Sequence, residues 1–217
     1  MSQALLSSAY FAPIQWYQKL HRYDKVEIEA HDSFIKQTYR NRCLIATTAG
    51  VQALTVPVER GSDGSEAANA QPTRKCLTRD VRISDHGNWR HLHWNALASA
   101  YGESPFFEFY ADDVRPFFER RWTFLYDFNM EICAKMCELI GISPDAGPTA
   151  EYIAADDPAL AGTADFRDAI RPKHPLPDPG FSPRRYYQVY EAKHGFLPNL
   201  SILDLLFNMG PESLLYL

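Results

Sequence analysis

The chain has 217 residues, 46% of them hydrophobic and 13% aromatic, and carries a formal net charge of -5. That is ample apolar material for a substantial core, while the acid excess argues against general nucleic-acid binding, which needs a broad basic surface. No run of about 18 apolar residues occurs, so no membrane span is expected, and the start MSQALLSSAYFAP has no cation before Lys19, so no secretory leader is expected either.

In chain order, ALLSSAYF at 4–11 reads as a short buried strand ending at the turn residue Pro13. PIQWYQKLHRY follows as a helix, with Pro13 at its first position and Ile14, Tyr17 and Leu20 on one stripe. DKVEIEAH alternates Val26, Glu27, Ile28, Glu29, as a strand with one buried face does. Strand, helix, strand in about 30 residues is the βαβ signature of a parallel sheet, whose ligands gather at the carboxyl ends of the strands. CLIATTAG and VQALTVPVE then form a hairpin around Ala49-Gly50, with Pro57 at an edge or strand end. The small polar stretch 60–75 predicts a mobile surface loop, and LTRDVRI a further short strand.

The second half reads as mainly helical. WRHLHWNALASAY, 89–101, places Trp94, Leu97, Ala98 and Tyr101 inward. Residues 122–140 give the clearest helical stripe, Leu125, Phe128, Ile132, Met136 and Leu139, ended by Gly141. The proline- and aspartate-rich 143–183 predicts an irregular surface wrap. The end predicts a short helix capped by Asn199 or Ser201, with Asp204 as capping-box acid, and an apolar tail, 214–217, docked on the core or on a partner chain. The expected fold is α/β: a βαβ unit and hairpin forming a small mixed sheet, covered by a mainly helical C-terminal half. One domain spans 1–217, with 1–85 as its sheet part and 86–217 as its helical part.

The candidate site is the stretch HDSFIKQTYRNRC, 31–43, which sets Lys36, Arg40 and Arg42 among Gln37, Tyr39 and Asn41 in an acidic protein. An extended conformation puts the three cations on one face, and an anion between them relieves their repulsion; guanidinium forks suit phosphate or carboxylate. The alternative is a solvated strand face with loose ion pairs. His31 lies just ahead of the cations, which favour the neutral imidazole suited to a general base. His91 and His93 point to different sides of a helix and cannot share one metal ion there, and no zinc motif occurs, so neither a metal nor a cofactor is expected. His93 is placed at the site beside Trp94, as the alternative to His31 for moving a proton. Tyr10, Trp16, Tyr39 and Trp94 offer flat walls for a sugar or base ring, though aromatic residues also fill cores. Asn129 interrupts an apolar stripe, where its amide either meets a ligand or caps a loop carbonyl. Four cysteines, at 43, 76, 133 and 137, show no CxxC pair, which points to a reducing, cytoplasmic setting.

Several motifs occur in a fixed order: Tyr10-Phe11-x-Pro13 with Trp16-Tyr17, then KQTYRNRC, LTVPV at 54–58, His93-Trp94, SPFF at 104–107, LYDFN at 125–129 and the closing GFLPNLSILDLLFNMGPES. In this the chain resembles the WbqC-like family of bacterial proteins over nearly its whole length. The resemblance implies a setting in surface-polysaccharide (O-antigen) gene clusters. It also implies that the cation and amide positions of 36–42 and Trp94 are site or scaffold residues. One departure stands out: many relatives read histidine-glutamine-proline after the first strand, where this chain reads Ser7, Ser8, Ala9, so no role carried by that histidine transfers. Two function classes follow. One is a transferase using a phosphorylated small-molecule donor, such as a nucleotide-sugar or an activated acyl or aminoacyl compound. The other is a binding module that assembles polysaccharide enzymes, with an exposed apolar surface at Phe106, Phe107, Phe109 and Tyr110 or at the LLYL tail, 214–217. A second copy of the chain is a further candidate partner.

Overall fold

The computed structural model describes residues 1–59 and 76–217; the loop expected at 60–75 lies outside them. Strand β1 (Gln3–Ser7), helix α1 (Ile14–Arg22) and strand β2 (Lys25–Glu29) form the expected βαβ unit, with β1 and β2 parallel and Leu6 opposite Ile28. β1 carries Ala4, Leu5 and Leu6 all buried, as a strand covered on both faces does. The hairpin is present as β3 (Arg42–Thr47) and β4 (Gly50–Thr55), antiparallel, with Gly50 at φ 105 in the turn.

The hairpin does not join the parallel sheet. It stands as its own two-stranded sheet, and the four-stranded parallel sheet runs β5-β2-β1-β6. Its outer strands come from the stretch expected to wrap the surface irregularly: β5 (Ala146–Pro148) beside β2 and β6 (Thr163–Asp165) beside β1. Each is three residues long, too short for a period-2 pattern to show in sequence. The strand expected at 77–83 is instead a turn of 3-10 helix, Thr78–Asp80, flanked by isolated bridges from Leu77, Arg82 and Ile83.

The helical half consists of α2 (Trp89–Tyr101), α3 (Phe107–Val114), α4 (Pro116–Glu119), α5 (Leu125–Ile140), the single turn α6 (Glu191–His194) and α7 (Ile202–Met209). The buried face of α2 is Trp89, His93, Leu97, Ala100 and Tyr101; Trp94 and Ala98 are only half-buried, so the helix is rotated from the expected orientation. On α5 the stripe holds apart from half-buried Leu139, and Gly141 closes the helix at φ 81, a left-handed position that glycine adopts at little cost. Ser201 caps α7, accepting from the Leu203 amide. Asp204 is no capping-box acid: it is buried and accepts from Tyr101 Oη at 2.8 Å, Tyr186 Oη at 2.5 Å and Gln188 Nε2 at 2.9 Å, tying α7 to α2 and to the 186–188 segment. Burial still raises its carboxyl above the usual range, the three donors opposing. The C-terminal tail docks with Leu217 buried and its carbonyl accepting from Arg22.

Candidate functional site

The four parallel strands end together, and a cleft of about 560 Å³ opens at their carboxyl ends, where parallel sheets hold ligands. One wall comes from the turn after β2, with His31, Asp32 and Arg40. The other comes from β6 and the residues after it, Asp165, Arg167, Asp168 and Arg171, with Tyr152 at the rim. The second wall is anchored to α1 through Asp178, whose carboxylate meets Lys19 Nζ at 2.6 Å and Gln15 Nε2 at 2.8 Å. Lys19 also lies 4.5 Å from the Phe166 ring.

Beneath the cleft floor sits Glu29, fully buried at the last position of β2. Its carboxylate accepts from the amides of His31 (2.9 Å) and Ile153 (3.3 Å), from Thr149 Oγ1 (2.9 Å) and from Arg167 Nη1 (3.1 Å). Arg167 also grips both oxygens of Asp165 and gives Nη1 to the Ile153 carbonyl. A buried carboxylate is tolerated only when it is satisfied in this way.

Thr149 passes this order to His31. Because Thr149 Oγ1 donates to Glu29, it accepts from His31, whose Nδ1 is 3.3 Å away. Arg79 Nη1, which can only donate, lies 2.7 Å from His31 Nε2. The arrangement therefore has His31 Nδ1 facing Thr149 as donor and Nε2 facing Arg79 as acceptor, with Nε2 covered by Arg79. The sequence placed a base here; the relay Glu29-Thr149-His31 that orients it comes from residue 149, in the stretch read as surface wrap.

The cations of 36–42 do not share a face. The chain runs through consecutive turns between Lys36 and Asn41 rather than extending, with Gln37 in the left-handed region at φ 62 and Thr38 Oγ1 bonded back to the Ile35 carbonyl. Lys36 and Gln37 are exposed, and Gln37 accepts from Lys173 Nζ at 2.9 Å. Arg40 turns inward, pairs with Asp32 and donates to Ser7 Oγ at 3.0 Å; Asp32 in turn accepts from Thr78 Oγ1. Arg42 leaves the turn to begin β3. Tyr39 is buried, its carbonyl accepting from the Tyr10 amide at 2.9 Å, and burial pushes its hydroxyl up to about 12. Asn41 bridges to Val56 of the chain after β4, its Nδ2 donating at 2.9 Å. Asn129 Nδ2 donates to the Arg40 carbonyl at 2.8 Å, so this amide fixes the turn that aims Arg40. Trp16 is buried, with Nε1 donating to the Ser7 carbonyl at 2.9 Å.

His93 does not reach the cleft. It is buried, its Nδ1 accepts from Tyr10 Oη at 2.9 Å, and desolvation lowers it to about 4, a hydrogen bond to the Thr55 backbone opposing. Tyr10, fully buried, is pushed well up by the same desolvation. Trp94, the next residue on α2, faces another way and lines a different groove with Arg90, His91 and Arg115. Cys43 is buried and its thiol is pushed up strongly by desolvation, which removes nucleophile character.

Of the expected site residues, then, His31 and Arg40 line the cleft directly. Trp16, Tyr39, Asn41 and Asn129 hold its scaffold, and Tyr10 and His93 lie in the core. Sequence reading missed Glu29, Arg79, Thr149, Tyr152, Arg167 and Arg171. The one local signal available was Asp165-x-Arg167, whose spacing closes a two-residue ion pair.

Among the described residues no helix is long and apolar enough to cross a membrane. A Mycobacterium tuberculosis protein described as "Uncharacterized protein Rv1507c" is 27% identical over 229 residues, covering 96% of this chain and 91% of its own length. No solved structure matches. The chain matches the WbqC-like protein family over residues 8–168, a span holding the cleft floor, the relay and the Arg40 turn, and it belongs to that family.

Proposed function

We propose that the protein is a cytoplasmic transferase acting on a phosphorylated small-molecule donor in the assembly of bacterial surface polysaccharide, with residues 1–217 working as one domain. The observation that carries this reading is the strand-end cleft with one oriented imidazole at its floor. The walls suit a polyhydroxylated molecule, because Asp32-Arg40 and Asp165-Arg167 present fixed donors and acceptors with their charges already balanced. The donor phosphate falls to Arg171, which is one-third exposed and among the described residues makes a single hydrogen bond, Nη1 to Asp168 at 2.9 Å. Arg79 is a second phosphate ligand, half exposed, and its move toward phosphate uncovers His31 Nε2.

His31 then takes the proton of the acceptor hydroxyl or amine. The acceptor atom bonds to the donor carbon attached to the phosphate oxygen, and that carbon–oxygen bond breaks with its electron pair staying on the phosphate. General-base catalysis of this kind contributes about 10²–10⁴-fold.

The test is thermal unfolding against nucleotide-sugars, nucleotides, coenzyme A and inorganic phosphate, since a ligand of the folded state raises the melting point by mass action. The expected result is a selective rise that disappears in Arg171→Ala, with turnover lost in His31→Gln; a flat panel sinks the proposal. One observation favours the assembly module as a second reading: Phe109 on α3 is 81% exposed beside half-buried Tyr110. Co-purification with a glycosyltransferase, lost in Phe109→Ser and without turnover, selects it.

A further inference from the structure

A second groove, of about 370 Å³, lies between α2 and the α3–α4 corner and has no part in the reading above. Its lining sets three arginines, Arg90, Arg115 and Arg121, against two acids, Asp85 and Glu119, in a protein whose net charge is negative. The arginines differ in station. Arg90 is embedded at the back: Nη1 donates to Asp85 at 2.6 Å, the guanidinium lies 4.6 Å from the Trp89 ring, and Nε and Nη2 are buried without a hydrogen-bond partner among the described residues. Arg115 and Arg121 stand at the rim, 54% and 85% exposed. Among the described residues Arg115 donates only Nε, to Glu119 at 2.7 Å, and Arg121 lies 3.6 Å from the Asp85 carboxylate already taken by Arg90.

Trp94 gives the groove a flat apolar wall. It is half-buried, steadied by Phe107 (ring centroids 6.0 Å) and Phe118 (5.9 Å), with the Arg115 guanidinium 5.8 Å from its ring. A fixed positive charge behind, two exposed guanidinium forks in front and an indole at the side recognise two things at once: an oxyanion, by charge-assisted hydrogen bonds, and a planar ring, by stacking.

We propose that this groove binds a small anion carrying a flat ring, of the nucleoside-phosphate or aryl-phosphate type, independently of the strand-end cleft. Arg115 and Arg121 close on the phosphate, and the ring stacks on Trp94.

The experiment is isothermal titration of the intact protein at low salt with adenosine 5′-diphosphate and with phenyl phosphate, using adenosine and inorganic pyrophosphate as half-ligands. At least one ring-bearing phosphate is expected to bind at least 10-fold more tightly than either half-ligand, and the order of the two separates a nucleoside from a plain aryl ring. Arg115→Ala/Arg121→Ala is expected to weaken binding at least 10-fold while Arg171→Ala leaves it unchanged. Both rim arginines are exposed, so this variant keeps the fold. Three results overturn the proposal: no binding of either ring-bearing phosphate, pyrophosphate binding as tightly as they do, or binding lost in Arg171→Ala and kept in the rim double variant. The last of these would place the ligand in the strand-end cleft and support the function proposed there.

Discussion

The strand-end cleft and the α2–α4 groove are each lined by three arginines, yet two of the three in one are in the opposite state to two of the three in the other. In the cleft, Arg40 is buried and Arg167 largely so, and both are matched to carboxylates of Asp32, Asp165 and Glu29. In the groove, Arg115 and Arg121 reach into solvent, and among the described residues most of their donors have no partner. Counting cations would rank the two sites alike. What separates them is donor saturation: a guanidinium bonded to buried carboxylates shapes a polar wall, whereas one at a rim is available to a ligand anion.

The comparison is broken most forcefully at Glu29. Removing that carboxylate in Glu29→Ala leaves Arg167 half-paired in a buried site and strips partners from Thr149 and two backbone amides. Losing one member of a buried pair costs about 3–5 kcal/mol, so urea unfolding of this variant should show a loss of that order. A loss below about 1 kcal/mol would mean that the cleft wall is not held by saturation.

The next effect runs through the seam between the two regions. Tyr10 follows β1 on the cleft side, and His93 sits on the same helix as Arg90 and Trp94 of the groove, so their 2.9 Å hydrogen bond joins the two. Desolvation lowers His93 from 6.5 to about 4. The unfolded chain therefore binds the proton more readily, and the stability from a neutral His93 is complete above about pH 7 and is lost as pH falls toward 4. The shift corresponds to roughly 3 kcal/mol. Stability measured from pH 7 to pH 4 should fall by about that amount in the wild type and much less in His93→Gln, with the groove loosening before the cleft.

These two tests also show where sequence was readable. The βαβ unit, the hairpin, α2 and α5 follow from hydrophobic period and punctuation, because each is long enough to repeat its own pattern. β5 and β6 are three residues each and exist because β2 and β1 offer open edges, which no local pattern records. The cleft was legible by half for the same reason. His31 and Arg40 lie next to the first strands, where strand-end logic finds them, while Thr149, Arg167 and Arg171 arrive from more than a hundred residues away. The one-face reading of Lys36, Arg40 and Arg42 assumed an extended chain; turn bonds within 35–41 won instead. Glu29 and Glu27 look alike in the strand alternation, and only the arrival of Arg167 makes one of them a core residue.

A finer probe of the relay is Thr149→Val, which keeps shape and removes the hydroxyl. It leaves the Ala30 amide, His31 Nδ1 and one Glu29 oxygen short of a partner, at a cost of about 1–3 kcal/mol. Its distinctive readout is the imidazole: nitrogen-15 shifts of His31 should show the Nδ1-protonated tautomer in the wild type and a mixture in the variant. An unchanged tautomer would assign the orientation to Arg79 alone.

The smallest expected effect completes the contrast. Arg121 is 85% exposed, and among the described residues it meets one acid, a carboxylate already bonded to Arg90, so removing it breaks no buried bond there. Surface substitutions of this kind stay within about 0.5 kcal/mol, and Arg121→Ala should leave urea unfolding unchanged. An arginine that a protein keeps at a groove mouth without drawing stability from it is open to a role in binding, and the salt dependence of any anion affinity should shrink when it goes. If Arg121→Ala instead destabilises by 2 kcal/mol or more, the groove's guanidiniums are structural like those of the cleft, and the distinction between a polar wall and an anion trap fails for this molecule.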